Sequence, residues 1–222
     1  MKHVCVLGAG GFIGKNLINQ HSDWVGITHT DLDLTDQQAV EEYFKTNKYD
    51  IVIHCAVVGG SRLREDGGDV FYQNVLMFEN VVRVFKGKII YFSSGAALRG
   101  DPPTDPYGFS KWIIDKRIES LSNVYSLRIW GCYGTYEPPT RFSYICKNKG
   151  HVMIEQDRYF DFVSISFVNE IVDKYVNSNK SLVKFCDLVY PKKMLLSQWA
   201  ENFGATWEIK IPTLGKSYIK ER

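Results

Sequence analysis

The stretch Val4-Cys5-Val6-Leu7-Gly8-Ala9-Gly10-Gly11-Phe12-Ile13-Gly14 decides the fold of this chain. Its four leading apolar residues predict a strand buried on both faces, and its glycines run directly into a helical pattern. A dinucleotide needs such glycines: Gly8 for a tight turn, Gly11 for close approach of the backbone to the pyrophosphate, and Gly14 for close packing of the helix on the sheet. The helix N-terminus adds N–H groups and a partial positive charge. The stretch therefore predicts a dinucleotide-binding unit, and the alternative is a glycine-rich turn without a ligand.

Composition limits the classes of protein to which the chain can belong. Its 222 residues suffice for one core with a small appendage, and an apolar content of 45% is typical of a globular protein. The net charge of +2 is dispersed, so we expect no nucleic-acid and no membrane partner. Five scattered cysteines lack metal-ligand spacing, which favours reduced thiols, no metal and a cytoplasmic location. We also expect no signal peptide and no membrane span.

Strand-like apolar runs alternate with helical patterns along the first part of the chain. The predicted strands are Val4–Leu7, Trp24–Thr28, Asp50–Ala56, Lys88–Phe92 and Val124–Trp130, and the predicted helices open at Lys15, Gln37, Val70 and Tyr107. This alternation predicts an α/β fold of the Rossmann type, a doubly wound parallel sheet with helices on both faces. Ligands of such sheets bind at the carboxyl ends of the strands, where the glycine loop, Ala56 and Ser93-Ser94 all fall.

The rhythm weakens after Tyr133. Helices are predicted over Arg141–Asn148, Val168–Val176 and Leu195–Phe203, and strand-like segments over Phe160–Ile165, Ser181–Cys186 and Trp207–Ile211. These elements suffice for a small lobe but not for a large independent domain. We therefore expect a dinucleotide-binding domain at residues 1–134 and a small substrate-binding lobe at 135–222, interleaved with the sheet.

Tyr107 and Lys111 stand four residues apart, so a helix places them on one face. A lysine cation beside a tyrosine hydroxyl stabilises the phenolate and lowers the tyrosine pKa from its unperturbed value of about 10. Such a tyrosine can exchange a proton with a substrate oxygen while hydride moves between a nicotinamide and a carbon. Ser94, or its neighbour Ser93, could donate a hydrogen bond to that oxygen. The tyrosine–lysine spacing alone is common on helix surfaces, but its place after the glycine loop and the serines favours a catalytic role.

With these motifs the chain resembles the extended short-chain dehydrogenase/reductase family, which contains epimerases, dehydratases and reductases of nucleotide sugars. The resemblance covers essentially the whole chain. The matching residues are Gly8, Gly11, Gly14, Asp33-Leu34, His54-Cys55-Ala56, Asn74, Ser93-Ser94, Tyr107, Lys111, the segment Arg128–Gly134 and the segment Arg158–Val163.

The resemblance implies a role for each candidate site residue. Ser94, Tyr107 and Lys111 would form a catalytic triad, with Ser93 in place of Ser94 if the register shifts by one residue. Cofactor contacts are implied for Gly8, Gly10, Gly11, Phe12, Ile13, Gly14, Asp33, Leu34, Ala56, Asn74, Tyr107 and Lys111. Within that set, Asp33 and Leu34 would hold the adenine and Asn74 would support the active-site helix, the alternative for Asn74 being a helix-surface amide. Substrate contacts are implied for Ser93, Ser94, Arg141 and Arg158.

The residues at the end of the second strand indicate only in part whether the cofactor is NAD or NADP. A carboxylate there would bind the ribose 2′-hydroxyl of NAD, and basic residues would favour the phosphate of NADP. The strand ends in Thr28-His29-Thr30, with Asp31 just beyond and Lys15 as a neighbouring cation. The prediction is NADP, with NAD as the alternative.

The implied substrate is a nucleotide sugar. The loop Ala56–Gly60 is most similar to a branch of the family that epimerises and then reduces a 4-keto-6-deoxy sugar nucleotide, with a cysteine after the serine and a histidine in the substrate lobe. Here Gly95, Ala96 and Ala97 follow the serines, and His151 lies later than the expected histidine. We therefore predict reduction without epimerisation. The alternatives are a 4-epimerase or dehydratase, or a non-catalytic dinucleotide-binding protein, because the chain and its loops are shorter than is usual in the family.

The two helices beside the expected site carry many apolar residues. The residues concerned are Phe71, Val75, Phe78, Val81 and Val82 on the first helix and Trp112, Ile113 and Ile118 on the second. Their number exceeds what one sheet face needs, and in the family this helix pair forms a four-helix bundle across a two-fold axis. The prediction is a homodimer, against the alternative that these residues pack only on their own sheet.

Overall fold

The structure is a computed structural model that describes residues 2–61, 63–178, 180 and 182–220. The chain forms two compact units. The first comprises the residues up to Arg128 together with Asn169–Cys186, and the second comprises Ile129–Val168 with the residues from Asp187 onward. Residues 169–186 thus return from the C-terminal part of the chain to the unit that contains the glycine loop.

The secondary structure follows the chain order that the sequence suggested. The strands are β1 (Val4–Leu7), β2 (Val25–Ile27), β3 (Ile51–His54), β4 (Lys88–Ser94), β5 (Val124–Ile129), β6 (Cys132–Tyr133), β7 (His151–Gln156), β8 (Tyr159–Phe160), β9 (Val163–Ser164), β10 (Phe185–Leu188), β11 (Met194–Leu195) and β12 (Thr206–Ile211). The helices are α1 (Phe12–Gln20), α2 (Gln37–Thr46), α3 (Gly68–Val84), α4 (Pro106–Glu119), α5 (Phe142–Lys149), α6 (Ile165–Asn177) and α7 (Leu196–Asn202), and a 3-10 helix at Gly95–Leu98 follows β4.

A six-stranded parallel sheet organises the first unit, in the order β10-β5-β4-β3-β1-β2. This confirms the predicted α/β fold of the Rossmann type. The strands β2 and β3 lie on opposite sides of β1, so the order reverses at β1. In open parallel sheets ligands bind at the carboxyl ends of the strands beside such a reversal. The glycine loop after β1 and the segment after β3 therefore meet where a dinucleotide is expected.

Burial explains why the central strands are unbroken apolar runs. Every residue of β1 and β3 is buried, as the two covered faces of a parallel sheet require. The helices α3 and α4 cover one of these faces. Four of the eight apolar residues on which the homodimer prediction rests are buried in this core, namely Phe78, Val81, Val82 and Ile118. These four pack on their own sheet, and the homodimer stays a prediction.

The other four residues of that set are not fully buried. Val75 and Ile113 are partly buried against the same core. Phe71 stacks on Phe109 with ring centroids 4.8 Å apart, and Phe109 stacks in turn on Trp112 at 6.0 Å. A short row of half-buried aromatic rings therefore links the outer sides of α3 and α4.

Element boundaries differ from the sequence predictions in a few places. The helix α1 begins at Phe12 rather than Lys15, because Gly11 in extended backbone already serves as its N-cap. The strand predicted over Ser181–Cys186 is β10 at Phe185–Leu188, and Ser181 lies outside the described residues. The strand β7 was not predicted. Its burial alternates from His151 to Ile154, but the exposed Met153 interrupts the polar side of the pattern.

The second unit contains three two-stranded sheets, β7 with β12, β8 with β11, and β6 with β9. Its core is aromatic and centres on Phe160, Phe162, Trp199 and Phe203. Two buried carboxylates organise its loops. Asp157 accepts hydrogen bonds from the backbone N–H and the hydroxyl of Ser197 at the start of α7. Asp161, 1% exposed, accepts hydrogen bonds from the Lys193 amine at 2.7 Å and from the backbone N–H of Lys220 at 2.8 Å.

Candidate functional site

The packing of the protein itself requires a glycine in the loop after β1 and another in the first turn of α1. Gly8 has φ +80°, and a Cβ there would lie 2.5 Å from the backbone N of Ala56. A Cβ on Gly14 would lie 2.4 Å from the carbonyl oxygen of Gly8. The turn after β1, the segment after β3 and the first turn of α1 thus approach one another at backbone distance. No larger residue fits without moving one of them.

Gly10 and Gly11 are different, because the protein itself leaves room for a side chain at both. A Cβ on Gly10 would only touch the Thr28 methyl group at 3.7 Å, and a Cβ on Gly11 would only touch the Gly8 carbonyl oxygen at 3.4 Å. Both residues are exposed. Gly11 is the N-cap of α1 and makes no side-chain cap hydrogen bond. The bare backbone at this helix N-terminus is a cradle that a Cβ would fill, and it fits the pyrophosphate of a dinucleotide.

Phe12 and Ile13, predicted to contact the cofactor, are half-buried residues in the first turn of α1. Ala56, after β3, lies against Gly8 as described above, so the two loops predicted to contact the cofactor touch each other. The structure thus brings this group of predicted residues to one place.

Two carboxylates flank the place where an adenosine is expected. One oxygen of Asp31 accepts hydrogen bonds from the Thr28 backbone N–H at 2.8 Å and from its hydroxyl at 2.6 Å. Asp33 accepts equivalent bonds from Thr35. These hydrogen bonds lower the pKa of both carboxyls, so both are ionised at neutral pH. The Leu34 side chain is buried, and its carbonyl accepts a hydrogen bond from the Asn80 amide.

Asn74 is buried in α3 and joins three segments of the site. Its amide oxygen accepts a hydrogen bond from the backbone N–H of Val58, and its amide nitrogen donates to the Val58 carbonyl and to the Ser110 hydroxyl. Ser110 in turn donates to the carbonyl of Tyr107 at 2.7 Å. Asn74 is 3% exposed, which excludes the alternative of a helix-surface amide. It ties the loop after β3 to the first turn of α4.

Tyr107 lies in that first turn. The helix begins with Asp105, whose carboxylate accepts the backbone N–H of Gly108 at 2.7 Å, and Pro106 follows in the first helical position. Gly60, at φ +72°, lies against the ring of Tyr107, since a Cβ on Gly60 would come within 2.9 Å of the ring carbon that carries the hydroxyl. The backbone N–H of Gly60 donates to Asp66 at 2.8 Å, which holds the loop in that place.

Lys111 lies one turn further along α4 and is 2% exposed. Its amine is 5.8 Å from the centre of the Tyr107 ring. It donates to the hydroxyl of Tyr91 at 2.8 Å and to the carbonyl of Phe92 at 2.9 Å. Burial lowers the pKa of Lys111 to about 7, and the carboxylate of Asp115 opposes that shift. Near neutral pH the lysine can therefore be present in either protonation state.

The two candidate serines end β4 in different environments. The Ser94 hydroxyl oxygen accepts the backbone N–H of Ala96 at 3.2 Å and so caps the 3-10 helix. The Ser93 hydroxyl is buried and finds no hydrogen-bond partner among the residues that the structure describes. Both serines lie at the end of β4, just before the 3-10 helix Gly95–Leu98, and the choice between them stays a prediction.

Arg141 and Arg158, predicted to contact the substrate, belong to the second unit. Arg141 is exposed just before α5 and donates to the Cys132 carbonyl at 3.4 Å. Arg158 is half-buried, and its side chain donates to the Gln156 carbonyl at 3.4 Å. The same unit holds a buried carboxyl, Glu137, which accepts a hydrogen bond from the Ser143 hydroxyl. Burial raises the pKa of Glu137.

The sequence analysis missed Tyr91, Gly60 and Asp115. Tyr91 is the one residue of the aliphatic run Ile89–Tyr91 that carries a hydroxyl, and this was the available signal. Gly60 ends the loop Ala56–Gly60, and the sequence around it carries no signal of a contact with Tyr107. Asp115 follows Lys111 by one helical turn, which was a readable spacing.

In the described part of the chain, no group of three or more His, Cys, Asp or Glu side chains is arranged to hold a metal ion. No helix within residues 2–61, 63–178, 180 and 182–220 combines the length and the apolar character needed to cross a membrane.

Comparison with known proteins gives a family and a fold. The profile of the NAD dependent epimerase/dehydratase family matches residues 4–143. A GDP-L-fucose synthase from Azorhizobium caulinodans is 41% identical over 64 residues, a segment that covers 27% of this chain and 20% of that relative. The chain thus aligns with only about a fifth of this relative's length.

Solved structures similar to this one share its fold over nearly the whole chain. The dTDP-4-dehydrorhamnose reductase from Bacillus anthracis in complex with NADP has a TM-score of 0.80 at 19% identity, and the match covers 98% of this chain and 89% of that one. The GDP-mannoheptose C4 reductase from Campylobacter jejuni with NADP bound has a TM-score of 0.77 at 19% identity and coverages of 97% and 89%. The UDP-glucose 4-epimerase from Thermotoga maritima has a TM-score of 0.75 at 14% identity and coverages of 95% and 86%.

Proposed function

Since this chain belongs to the NAD dependent epimerase/dehydratase family, we propose that it is an oxidoreductase that uses NADP or NAD to reduce the 4-keto group of a nucleotide sugar. One observation carries the proposal: the amine of Lys111 is buried 5.8 Å from the Tyr107 ring, at the sheet end that also holds the glycine loop. Burial of a lysine amine is unfavourable unless the amine has partners. A tyrosine–lysine pair on an ordinary helix surface would therefore leave its amine exposed. The similarity to a GDP-L-fucose synthase and to two sugar-nucleotide reductases supports the substrate class.

In this proposal the chain supplies acid–base chemistry around a carbonyl. The cofactor, when bound, supplies the hydride that adds to the carbonyl carbon. Tyr107 gives its hydroxyl proton to the carbonyl oxygen, and the charged form of Lys111 favours the phenolate that remains. Ser94, with Ser93 as the alternative, donates a hydrogen bond that orients the oxygen. Gly8, Gly10, Gly11 and Gly14 shape the pyrophosphate cradle, and Arg141 and Arg158 are proposed to contact the nucleotide sugar.

Reduction is favoured over epimerisation by the groups beside the serines. Epimerisation next to a carbonyl needs a base on one face and an acid on the other. Gly95, Ala96 and Ala97 follow the serines and carry no such group. In the second unit, Cys146 is fully buried and burial raises its pKa to about 11, which disfavours the thiolate that a base would need. His151 is exposed, and its ring nitrogen lies 2.9 Å from the Thr206 hydroxyl.

The runner-up is a 4-epimerase or dehydratase, and one observation favours it. Glu137 is a buried carboxyl, and burial raises its pKa, which favours the protonated form that a general acid needs. The reaction run in D₂O with a 4-keto-6-deoxy sugar nucleotide and NADPH separates the two. The proposed reductase leaves C3 and C5 without enzyme-dependent deuterium. If the parent protein introduces deuterium at C3 or C5 and Glu137→Gln does not, the protein carries out epimerisation chemistry and the proposed simple reduction is wrong.

For the cofactor we propose NADP. The carboxylate oxygen of Asp31 that binds Thr28 is engaged in closing the loop after β2, and His29 lies exposed beside it. The two reductases of similar fold have NADP bound. Fluorescence titration should give a lower Kd for NADPH than for NADH. A lower Kd for NADH would mean that the ionised Asp31 dominates, and that the cofactor is NAD.

The function is tested with purified protein, NADPH or NADH, and a panel of 4-keto-6-deoxy sugar nucleotides. Oxidation of the cofactor is followed by absorbance and the product is identified by NMR. Tyr107→Phe should bind NADPH as the parent does and lose turnover on the order of 10²–10⁴-fold. Tyr72→Phe is the matched control, because Tyr72 is 63% exposed on α3 and should tolerate the change. If Tyr107→Phe kept the parent's turnover, the acid–base assignment would be wrong. Tight NADPH binding without turnover of any substrate would leave the non-catalytic dinucleotide-binding protein.

A further inference from the structure

Tyr91 is a polar group in the middle of a buried strand. It lies in β4 between Ile90 and Phe92 and is 1% exposed. Its ring packs edge-on against His54 and Phe78, at centroid distances of 5.5 and 5.1 Å. An apolar residue would satisfy this packing equally well, so the hydroxyl needs a separate explanation. That hydroxyl accepts the hydrogen bond from Lys111.

We propose that Tyr91 is a positioning residue, which together with the Phe92 carbonyl holds the Lys111 amine in place for the dinucleotide and Tyr107. This inference rests on the proposed function. The two bonds, of 2.8 and 2.9 Å, arise from consecutive residues of one rigid strand. The amine also lies 4.5 Å from the centre of the Tyr91 ring, within the range of a cation–π contact. A charged lysine has three N–H groups, so one N–H is left after these two bonds.

The titratable groups around Lys111 on β4 and β3 are uncharged, and Tyr91 among them is a neutral hydrogen-bond acceptor. Burial raises the pKa of Tyr91 well above that of an ordinary tyrosine, so its hydroxyl stays protonated. His54 on β3 is uncharged, because burial and the lysine charge lower its pKa to about 4. Burial likewise raises the pKa of the Cys55 thiol, which stays neutral. The carboxylate near Lys111 is Asp115, and its oxygens bind the Arg128 guanidinium at 2.7 Å and the Ser126 hydroxyl at 2.8 Å.

This arrangement predicts what the Tyr91 hydroxyl does for the lysine. A hydrogen bond accepted from an ammonium favours the charged form. Without it, the buried amine would keep the Phe92 carbonyl and lose its other acceptor. The charged form of Lys111 would become less favourable, and the side chain would gain freedom to rotate. Asp115 is oriented toward other donors, since one of its oxygens accepts a hydrogen bond from Ser126 and the other accepts one from Arg128.

The experiment compares Tyr91→Phe with Tyr43→Phe. The control removes the hydroxyl of another partly buried tyrosine, Tyr43 of α2, which lies 2.7 Å from the Tyr49 hydroxyl. Titration of ¹³Cε-labelled lysines by NMR reports the Lys111 protonation state without any substrate, and Lys111→Met assigns the signal. The parent should titrate near pH 7. In Tyr91→Phe the midpoint should fall by about one pH unit, because a hydrogen bond to a charged group is lost.

Two further measurements connect the titration to the function. The Kd for NADPH should rise several-fold in Tyr91→Phe, and the alkaline limb of kcat/KM should move to lower pH with the lysine titration. Tyr43→Phe should change neither. If the Lys111 titration and the Kd are the same in Tyr91→Phe as in the parent, Tyr91 is merely a packing residue and the inference fails. If both change as expected while the parent turns over no nucleotide sugar, the positioning role stands and the proposed reaction fails.

Discussion

Gly11 is the N-cap of α1 and Gly14 lies three residues later in its first turn, yet we propose different reasons for the glycine at each position. For Gly14 the reason is internal packing, and for Gly11 it is the approach of a ligand. Alanine at each position separates the two. Gly14→Ala should lower the stability of the protein, whereas Gly11→Ala should preserve stability and weaken dinucleotide binding.

The magnitude for Gly14→Ala follows from the distances. An added Cβ would lie 2.4 Å from the Gly8 carbonyl oxygen and 2.9 Å from the Ala9 Cα, both backbone atoms that cannot rotate away. Relief to an ordinary contact requires a shift of about 1 Å, and overpacking of this kind costs about 3 kcal/mol at the upper end of its usual range. Alanine returns about 1 kcal/mol as the better helix former within α1. The net loss of about 2 kcal/mol corresponds to a fall in Tm of about 4–8 °C.

Gly11→Ala should behave differently. Its backbone, at φ −79° and ψ 170°, suits any residue, and the added Cβ would make only an ordinary contact at 3.4 Å. The gain in unfolded-state entropy and the poorer N-cap nearly cancel, so the stability should change by less than about 1 kcal/mol. The same Cβ would occupy the pyrophosphate cradle, and the Kd for NADPH should rise at least about tenfold, which corresponds to about 1.4 kcal/mol.

The assay is thermal unfolding by circular dichroism, paired with fluorescence titration of NADPH, on the parent and both variants. A Gly14→Ala protein with the parent's Tm would refute the packing argument. A Gly11→Ala protein with the parent's Kd would refute the assignment of this backbone to the pyrophosphate, and with it the site as described.

Three further predictions follow from the site and its flanks. Gly60→Ala should lower kcat more than it raises the Kd for NADPH, because its Cβ would displace the Tyr107 ring, while Gly68→Ala, with open space around it, should change neither. Ser93→Ala should leave Tm unchanged or raise it, because the buried Ser93 hydroxyl has no partner among the described residues. Ser94→Ala should lower Tm, because it removes the cap of the 3-10 helix. The variant that loses more turnover identifies the serine that donates the hydrogen bond to the substrate. Light scattering at micromolar concentration should give a homodimer, with Trp112→Glu monomeric, whereas a parent mass near 25.5 kDa would contradict the dimer.

Much of the fold was predictable because the signals are local. The glycine stretch follows an apolar strand, and strands buried on both faces give apolar runs that are hard to misread. The second unit was less predictable because its strands are short, and their pairing depends on distant partners: β7 pairs with β12, more than fifty residues later. The part of the apolar face of α3 that packs on its own sheet was hard to predict for the same reason, since a sequence does not tell which side of a wide apolar face its sheet will cover.

The site divides in a similar way. Residues whose chemistry is read from type and spacing, such as Tyr107 and Lys111, were visible in the sequence. Tyr91 and Gly60 were not, because each acts through a neighbour that lies far away along the chain: Tyr91 meets Lys111 twenty residues later, and Gly60 meets the Tyr107 ring across a loop. A single sequence shows which side chains can carry a proton or a charge. The backbone and hydroxyl contacts that fix where those side chains lie arise only from tertiary packing, and so does the burial that lowers the pKa of Lys111 to about 7.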